Sequence, residues 1–202
     1  MTKVMKYNII YRDELLGNAF KKQFYEAFNV EITKGDITQI SIDAVVSPSN
    51  SFGFMDGGLD YELSEKFGWD LQKQLQNQIQ LLPMGELLVG QALVIPTGDA
   101  QTPYLISAPT MRIPMSFNIA TSVNAYLAMK AILVTARSHS DIQSVAIPGL
   151  CTGVGKMPPE ISARQMYMAY LEVELGNRPS FEDFDEARKY QWKLNENAMI
   201  YD

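Results

Sequence analysis

Two glycine-rich segments and the polar residues around them could carry chemistry in this sequence. One runs from Ser49 to Gly58 and the other from Gly149 to Gly155, and each follows a short apolar run. Glycine reaches positive φ cheaply and lets a ligand approach the backbone. Backbone N–H groups at such turns and at helix N-termini can hold a pyrophosphate without basic side chains. Neither segment matches GxGxxG or GxxxxGK[ST], so the known dinucleotide and P-loop fingerprints are not supported.

Four short motifs follow one another in a specific order: GDIT at 35–38, SPSN at 47–50, GGLD at 57–60 and IPGLCTGVG at 147–155. In this order the chain resembles the macrodomain family, whose members carry GDIT, NAAN-like, GGGVD and PxxxTG[VI] elements. The resemblance covers about residues 30–175. It implies a three-layer α/β/α fold with a mixed, largely parallel central sheet, and ADP-ribose or ADP-ribosylated protein as the partner.

The resemblance also implies roles for individual residues. Asp36 would accept a hydrogen bond from the adenine amino group, with the backbone of Ile37 beside the ring. Asn50 would lie next to the distal ribose. Asp60 matches the aspartate that MacroD-type hydrolases use near the anomeric carbon. The two phosphate loops would be formed by Gly57, Gly58 and Leu59 and by Thr152, Gly153, Val154 and Gly155.

Each polar residue also has a structural alternative. Asp36 could simply end a strand as a turn residue, and Asn50 could tie the loop backbone together. Asp60 could be a first-turn helix aspartate favoured by the dipole, a role compatible with catalysis. Asp56 is typical of a turn, although its closeness to Asp60 would allow a carboxylate pair with separated pKa values.

The chain departs from the family pattern at several positions. Ser47 replaces the first asparagine of the NAAN element, and Met55-Asp56 stand where glycines are usual. After Val154 the family often has Tyr or Phe against the distal ribose, but this chain has Gly155-Lys156, so Phe52 or Phe54 would supply the apolar wall instead. Arg112 could face the ligand or form a surface salt bridge. Cys151 is expected to be a small buried residue of the core rather than a nucleophile, because the only histidine of the chain, His139, lies at a helix end.

Alternating strand and helix patterns must position these loops. The predicted strands are Lys6–Tyr11, Val30–Lys34, Ala44–Ser47, Leu87–Ile95, Tyr104–Ser107 and Val145–Pro148. The predicted helices are Glu14–Phe28 (capped by Asp13), Leu59–Phe67, Trp69–Leu82, Asn118–Ser138 and one opened by Pro158-Pro159 and ending at Leu175. We expect one domain over residues 1–202, with a helical tail over 178–202 that begins near Phe181.

Composition excludes several classes of function. A formal net charge of −6 argues against nucleic acid as the main partner. One cysteine and one histidine exclude an internal disulfide and argue against a His/Cys metal site. No apolar run is long enough to cross a bilayer, and no secretory signal is visible, so we expect a cytoplasmic protein without a membrane partner. No metal or other cofactor is required.

Three functions remain open from the sequence. The first is hydrolysis of ADP-ribosyl groups from modified protein or from O-acetyl-ADP-ribose, with Asp60 as the reacting carboxylate and Asn50 fixing the ribose. The second is a reader module that binds ADP-ribose without turnover. The third is a nucleotide-binding structural domain that serves a partner. The leaving group of a hydrolase could be a carboxylate ester, an arginine, an acetyl group or a nucleic-acid phosphate.

Overall fold

Six strands form one sheet in the computed structural model, which describes residues 4–114 and 119–198. They are β1 Lys6–Tyr11, β2 Val30–Lys34, β3 Ala44–Ser47, β4 Leu93–Pro96, β5 Tyr104–Ser107 and β6 Ser144–Ile147. Their order is β2-β1-β6-β3-β5-β4, and all neighbours are parallel except β4 and β5. The predicted mixed, largely parallel sheet is therefore confirmed.

Helices cover both faces of this sheet. They are α1 Glu14–Gln23, α2 Gly58–Phe67, α3 Asp70–Gln80, α4 Asn124–Ser138, α5 Pro159–Val173 and α6 Phe184–Leu194. Successive strand residues point to opposite faces, so Ile9 packs with α1, α4 and α5, whereas Ile10 packs with α2 and α3. The result is two hydrophobic cores separated by the sheet, which is the expected three-layer arrangement. Among the residues described, no helix is both long and apolar enough to span a membrane.

The first helix was predicted correctly at its start and wrongly at its end. The Asp13 side chain accepts a hydrogen bond from the Leu16 N–H at 3.0 Å, as an N-cap does. The helix ends at Gln23 instead of Phe28, because Phe24 turns into the core with a non-helical backbone. Phe28 lies exposed in the turn that leads to β2.

Three other predicted elements are shorter in the structure. The strand predicted over 87–95 begins only at Leu93 and continues to Pro96, since a turn closed by Gly90 at φ +95° precedes it. The helix predicted from Asn118 begins at Asn124; residue 118 lies outside the described residues, and 119–123 form a turn. The tail helix begins at Phe184, capped by Asp183. Smaller shifts of one or two residues affect the ends of β6, α2, α3 and α5.

Gly17 lies where α1 crosses β1 most closely. A Cβ atom at this position would lie 2.2–2.5 Å from three carbons of the Tyr11 ring, which is itself buried. Alanine is normally favoured over glycine inside a helix by about 0.5–1 kcal/mol. Overpacking of a buried contact typically costs about 1–3 kcal/mol. The steric clash therefore outweighs the helix preference for alanine, and a Cβ at this position is destabilising.

We therefore expect Gly17→Ala to lower the free energy of unfolding by about 1 kcal/mol or more, measured by urea denaturation. The matched background is Tyr11→Leu, which removes the ring. In that background Gly17→Ala should be neutral or stabilising. An equal loss in both backgrounds would contradict the steric explanation.

Candidate functional site

A cavity of about 610 Å³ opens where the parallel strands end. Its wall is made by residues at or after the carboxyl ends of β1, β2, β3, β5 and β6, and by the N-terminus of α2. Ligands of open α/β sheets bind at this edge. Of the residues singled out from the sequence, the cavity is lined by Ile37, Asn50, Asp56, Gly57, Gly58, Leu59, Asp60, Thr152, Gly153, Val154 and Gly155. Most of the site residues predicted from the sequence therefore lie together in the wall of one cavity.

Asn50 holds the first loop in shape. Its Oδ1 accepts hydrogen bonds from the N–H groups of Phe52 at 3.1 Å and Phe54 at 3.3 Å, and its Nδ2 donates to the Phe54 carbonyl at 2.7 Å. A side-chain amide can make four such bonds, and three are made within this loop. The structural alternative for Asn50 is therefore present in the structure, and one donor position remains for a ligand.

The first loop ends at the N-terminus of α2, which has no side-chain cap. Gly57 is the cap residue and makes no side-chain hydrogen bond, and Gly58 has φ +56°. Both residues line the cavity and are exposed. The first N–H groups of a helix carry partial positive charge and need an external acceptor. This end of α2 is therefore suited to bind an anion.

The second loop also offers free backbone N–H groups. Within the described part of the chain, the N–H groups of Thr152, Gly153, Val154 and Gly155 make no hydrogen bond. The loop is closed instead by Met157 N–H donating to the Cys151 carbonyl at 3.0 Å and by Lys156 N–H donating to the Gly153 carbonyl at 3.2 Å. Cys151 and Lys156 adopt positive φ to allow this.

Gly155 and Gly153 differ sharply in the space around them. A Cβ atom at Gly155 would lie 2.6 Å from the Cys151 carbonyl oxygen and 2.7 Å from Ile119, whereas one at Gly153 would meet nothing within 4 Å. Gly155 is thus required by close packing of the loop, and Gly153 is not.

Asp60 is the buried carboxyl group of the site. It lies in the first turn of α2, is only 7% exposed, and its Oδ1 accepts a hydrogen bond from Ser47 Oγ at 2.5 Å. Burial raises the pKa of Asp60 to about 6, and the Ser47 hydrogen bond opposes this shift. The Ser47 departure from the family pattern therefore acts directly on this carboxyl group. Asp56, by contrast, lies exposed at the cavity wall.

Asp36 lies beside the cavity rather than in its wall, while its neighbours Gly35 and Ile37 line it. Its Oδ1 accepts hydrogen bonds from the Thr38 N–H and hydroxyl at 2.9 and 2.8 Å and pairs with Arg12 at 2.9 Å. Together these interactions, the Thr38 N–H first, keep the pKa of Asp36 below its ordinary value. Asp36 therefore has the structural role of a turn residue through Oδ1, and Oδ2 is the oxygen that would accept from a ligand.

Apolar side chains surround the mouth of the cavity. Phe54, Ile113 and Val154 line it and are each 42–54% exposed. Phe52 does not line the cavity, and the Arg112 guanidinium lies over its ring at 4.8 Å. Of the two phenylalanines considered from the sequence, Phe54 is the one in position to contact a ligand. Arg112 pairs with Glu86 at 2.8 Å and thus takes the surface role.

Cys151 lines the cavity but is 4% exposed, and burial raises the pKa of its thiol to about 12. A thiol of this kind is protonated at neutral pH and is a poor nucleophile. His139 packs against Tyr104, at the start of β5 and away from the cavity. No described group of three His, Cys, Asp or Glu side chains could hold a metal ion.

Residues 46–166 match the Macro domain family. The chain belongs to this family. A protein of Aquifex aeolicus is 29% identical over 174 residues, covering 86% of this chain and 90% of the relative. The fold is also similar to the Oceanobacillus iheyensis macrodomain with ADP, at 19% identity and TM-score 0.60, covering 80% of this chain and 87% of that one. Thermosipho africanus DarTG in complex with ADP-ribose is similar at 15% identity and TM-score 0.57, covering 86% of this chain and 55% of that one.

Several residues of this Macro domain site were missed from the sequence. Arg12 follows β1, lines the cavity and joins Asp36 to Glu62, with two bonds of 2.8 and 2.5 Å to the Glu62 carboxylate. Thr110 and Met111 follow β5 in the same way. The signal was available, because Arg12 comes directly after β1, and Thr110 and Met111 lie in the loop after β5. The carboxyl ends of both predicted strands face the site.

The pKa of Asp60 makes a prediction about the stability of this Macro domain. Folding raises this pKa from its ordinary value of 3.8 to about 6, so the folded state binds the proton more tightly. The stabilisation that comes from this tighter proton binding is complete below about pH 4, and it is lost as the pH rises through 6. The difference corresponds to about 3 kcal/mol.

Asp60→Asn keeps an acceptor for Ser47 and removes the titration. Between pH 4 and pH 8 the free energy of unfolding of the wild type should therefore fall, relative to that of Asp60→Asn, by up to about 3 kcal/mol. Asp56→Asn, exposed in the same loop, is the matched control and should follow the wild type. Parallel pH profiles for wild type and Asp60→Asn would show that Asp60 titrates normally.

Proposed function

We propose that this Macro domain binds ADP-ribose. The observation that supports this most is that the N–H groups over 152–155 have no hydrogen-bond partner among the described residues. They line the same cavity as the N-terminus of α2, whose cap residue Gly57 has no side chain to bond it. Two donor surfaces on one cavity suit a diphosphate. The cavity volume of about 610 Å³ lies within the usual range for sites of small organic ligands. The related structures with ADP and with ADP-ribose are consistent with this ligand class.

The ligand would lie along the strand ends, with its adenine near Ile37 and Asp36 and its diphosphate on the two loops. The distal ribose would lie against Phe54 and Val154 at the mouth. Asp60 and Asn50 line the wall of the same cavity. This placement leaves the anomeric carbon, C1″, where a modified side chain could enter.

The second part of the proposal is hydrolysis of ADP-ribosyl groups from modified protein or from O-acetyl-ADP-ribose. A carboxyl group with a pKa near 6 can exchange a proton close to neutral pH, as a general base requires. For a linkage at C1″, the oxygen of a water forms a bond to C1″. The bond from C1″ to the leaving group breaks, and its electron pair goes to that group. The Asp60 carboxylate takes the water proton and passes it to the leaving group.

A reader module without turnover is the second candidate. Two observations favour it: Asn50 uses three of its four hydrogen-bonding positions within its own loop, and Asp60 is almost fully buried. A reader and a hydrolase would bind the same ligand, so turnover alone separates them.

Isothermal titration with ADP-ribose tests the binding proposal. We expect a dissociation constant near micromolar, which corresponds to about −8 kcal/mol, and weaker binding of adenosine, which lacks the diphosphate. Gly155→Ala should weaken ADP-ribose at least tenfold, because its Cβ forces the loop away from Cys151 and Ile119. Gly153→Ala is the matched control and should bind within about threefold of wild type, since its N–H remains and its Cβ has space. No binding at millimolar ADP-ribose would end this proposal.

Asp60→Ala tests the hydrolysis proposal on ester-, arginine- and acetyl-linked substrates. Loss of a general base typically costs at least about 10²-fold in rate, whereas ADP-ribose affinity should change by less than about tenfold or 1.4 kcal/mol. Unchanged turnover would move the chemistry to Asp56, which Asp56→Asn would then reveal. Loss of both binding and turnover would assign Asp60 a structural role. A wild-type protein that turns over none of the three substrates would be a reader.

A further inference from the structure

The segment that follows α5 lies outside the part of the chain that matches the family, residues 46–166, yet it packs on the domain. Helix α6 contributes Leu194 to the core beneath α4 and α5, where it is 2% exposed. The Tyr190 hydroxyl hydrogen-bonds the buried Glu172 carboxylate of α5. The end of α6 is therefore held firmly, and so is the residue that follows it.

That residue is Asn195, which is fully buried. Its Nδ2 donates to the carbonyl oxygens of Ala120 at 2.5 Å and Ser122 at 2.8 Å, and its Oδ1 accepts from the Asn197 N–H at 3.0 Å. A buried side-chain amide that donates to two carbonyls of one turn fixes the position of that turn. Residues 119–123, together with Asn124 at the start of α4, are called the 119–124 turn.

The 119–124 turn touches the ligand cavity on two sides. Ile119 N–H donates to the Gly155 carbonyl at 3.1 Å, and the Ile119 side chain leaves no room for a Cβ at Gly155. Asn124 Nδ2 donates to the Thr110 carbonyl at 2.8 Å. Gly155 and Thr110 both line the cavity. A shift of this turn would therefore move the second loop and the wall after β5 together.

We propose that Asn195 is a positioning residue for the ligand site and acts through the 119–124 turn on the second loop. Its role in ligand affinity rests on the proposed binding of ADP-ribose, whereas its effect on the loop does not. Removing the side-chain amide takes away the two hydrogen bonds that Asn195 donates to the turn, while Ser122 keeps the hydrogen bond from Gln165 Nε2 at 2.9 Å. The Ala120 side of the turn, next to Ile119, then loses this anchor, so the separation of Ile119 and Gly155 is no longer fixed from behind. The free N–H groups of the loop would then no longer be held at the spacing that a diphosphate needs.

Amide hydrogen exchange of the ligand-free protein, measured by NMR, tests the structural half of the proposal. The useful probes are the Ile119 and Met157 amides, which are bonded to the Gly155 and Cys151 carbonyls. We expect both to exchange roughly tenfold faster in Asn195→Ala, the size of effect expected for a lost buried hydrogen bond. The Ile9 and Val46 amides in the sheet should be unchanged. Asn195→Ser, which keeps one donor, should fall between and serves if Asn195→Ala does not fold.

Two control variants separate positioning from general loss of stability. Asn177→Ala removes an exposed side-chain amide from the same tail and should behave as wild type. Ile142→Val trims a fully buried residue just before β6, at the sheet edge opposite the cavity. It should lower overall stability without speeding exchange at Ile119 relative to the sheet. Equal effects of Ile142→Val and Asn195→Ala at Ile119 would overturn the proposal.

Titration of the same variants tests the functional half. Asn195→Ala should weaken ADP-ribose roughly tenfold while adenosine, which lacks the diphosphate, binds within twofold of wild type. Equal weakening of both ligands, or wild-type affinity for both, would overturn the role in positioning. A wild-type protein that binds no ADP-ribose would end the proposed function instead, and the exchange rates would still decide whether Asn195 controls the loop.

Discussion

A loop that offers its backbone N–H groups to a ligand cannot use those groups to hold its own shape, and much of this structure follows from that constraint. Side chains replace them as supports. In the first loop Asn50 binds three backbone groups, and Gln72 accepts from the Met55 N–H at 2.7 Å. In the second loop close packing around Gly155 serves the same purpose. These supports fix the shape of both loops without a ligand, which would lower the entropic cost of binding the proposed one.

The same constraint would allow an acidic chain to bind the proposed anionic ligand. The net charge is −6, and the donors described here are backbone dipoles rather than clustered lysines. These dipoles also act on Asp60, which lies in the first turn of α2, where a negative charge is favoured. Burial nevertheless raises its pKa, so the cost of removing the carboxylate from water exceeds the favourable field. A carboxyl group in the wall of the cavity thus keeps a proton available near neutral pH.

The sequence predicted the strands and the two loops well because alternation and glycine spacing are local signals. Four of the six strands, β1, β2, β3 and β5, have the predicted bounds. The errors lie where tertiary contacts override a local pattern: the aromatic spacing up to Phe28 favours a longer helix, but the chain must turn there to enter β2. The place of Arg12 after β1 is visible in the sequence, but its ion pairs are not, because Asp36 and Glu62 are distant from it in sequence. Asn195 was missed for the same reason, since nothing near it in sequence indicates its contacts with 120 and 122.

The two loops belong to different halves of the molecule. Met55 of the first loop packs in the core beneath α2 and α3, whereas Leu150 and Cys151 at the second pack in the core beneath α1, α4 and α5. The sheet separates these cores, and the cavity lies above their common edge. A molecule bound to both loops would therefore contact segments that are anchored in both cores. Its binding free energy would stabilise the packing on the two faces of the sheet at once.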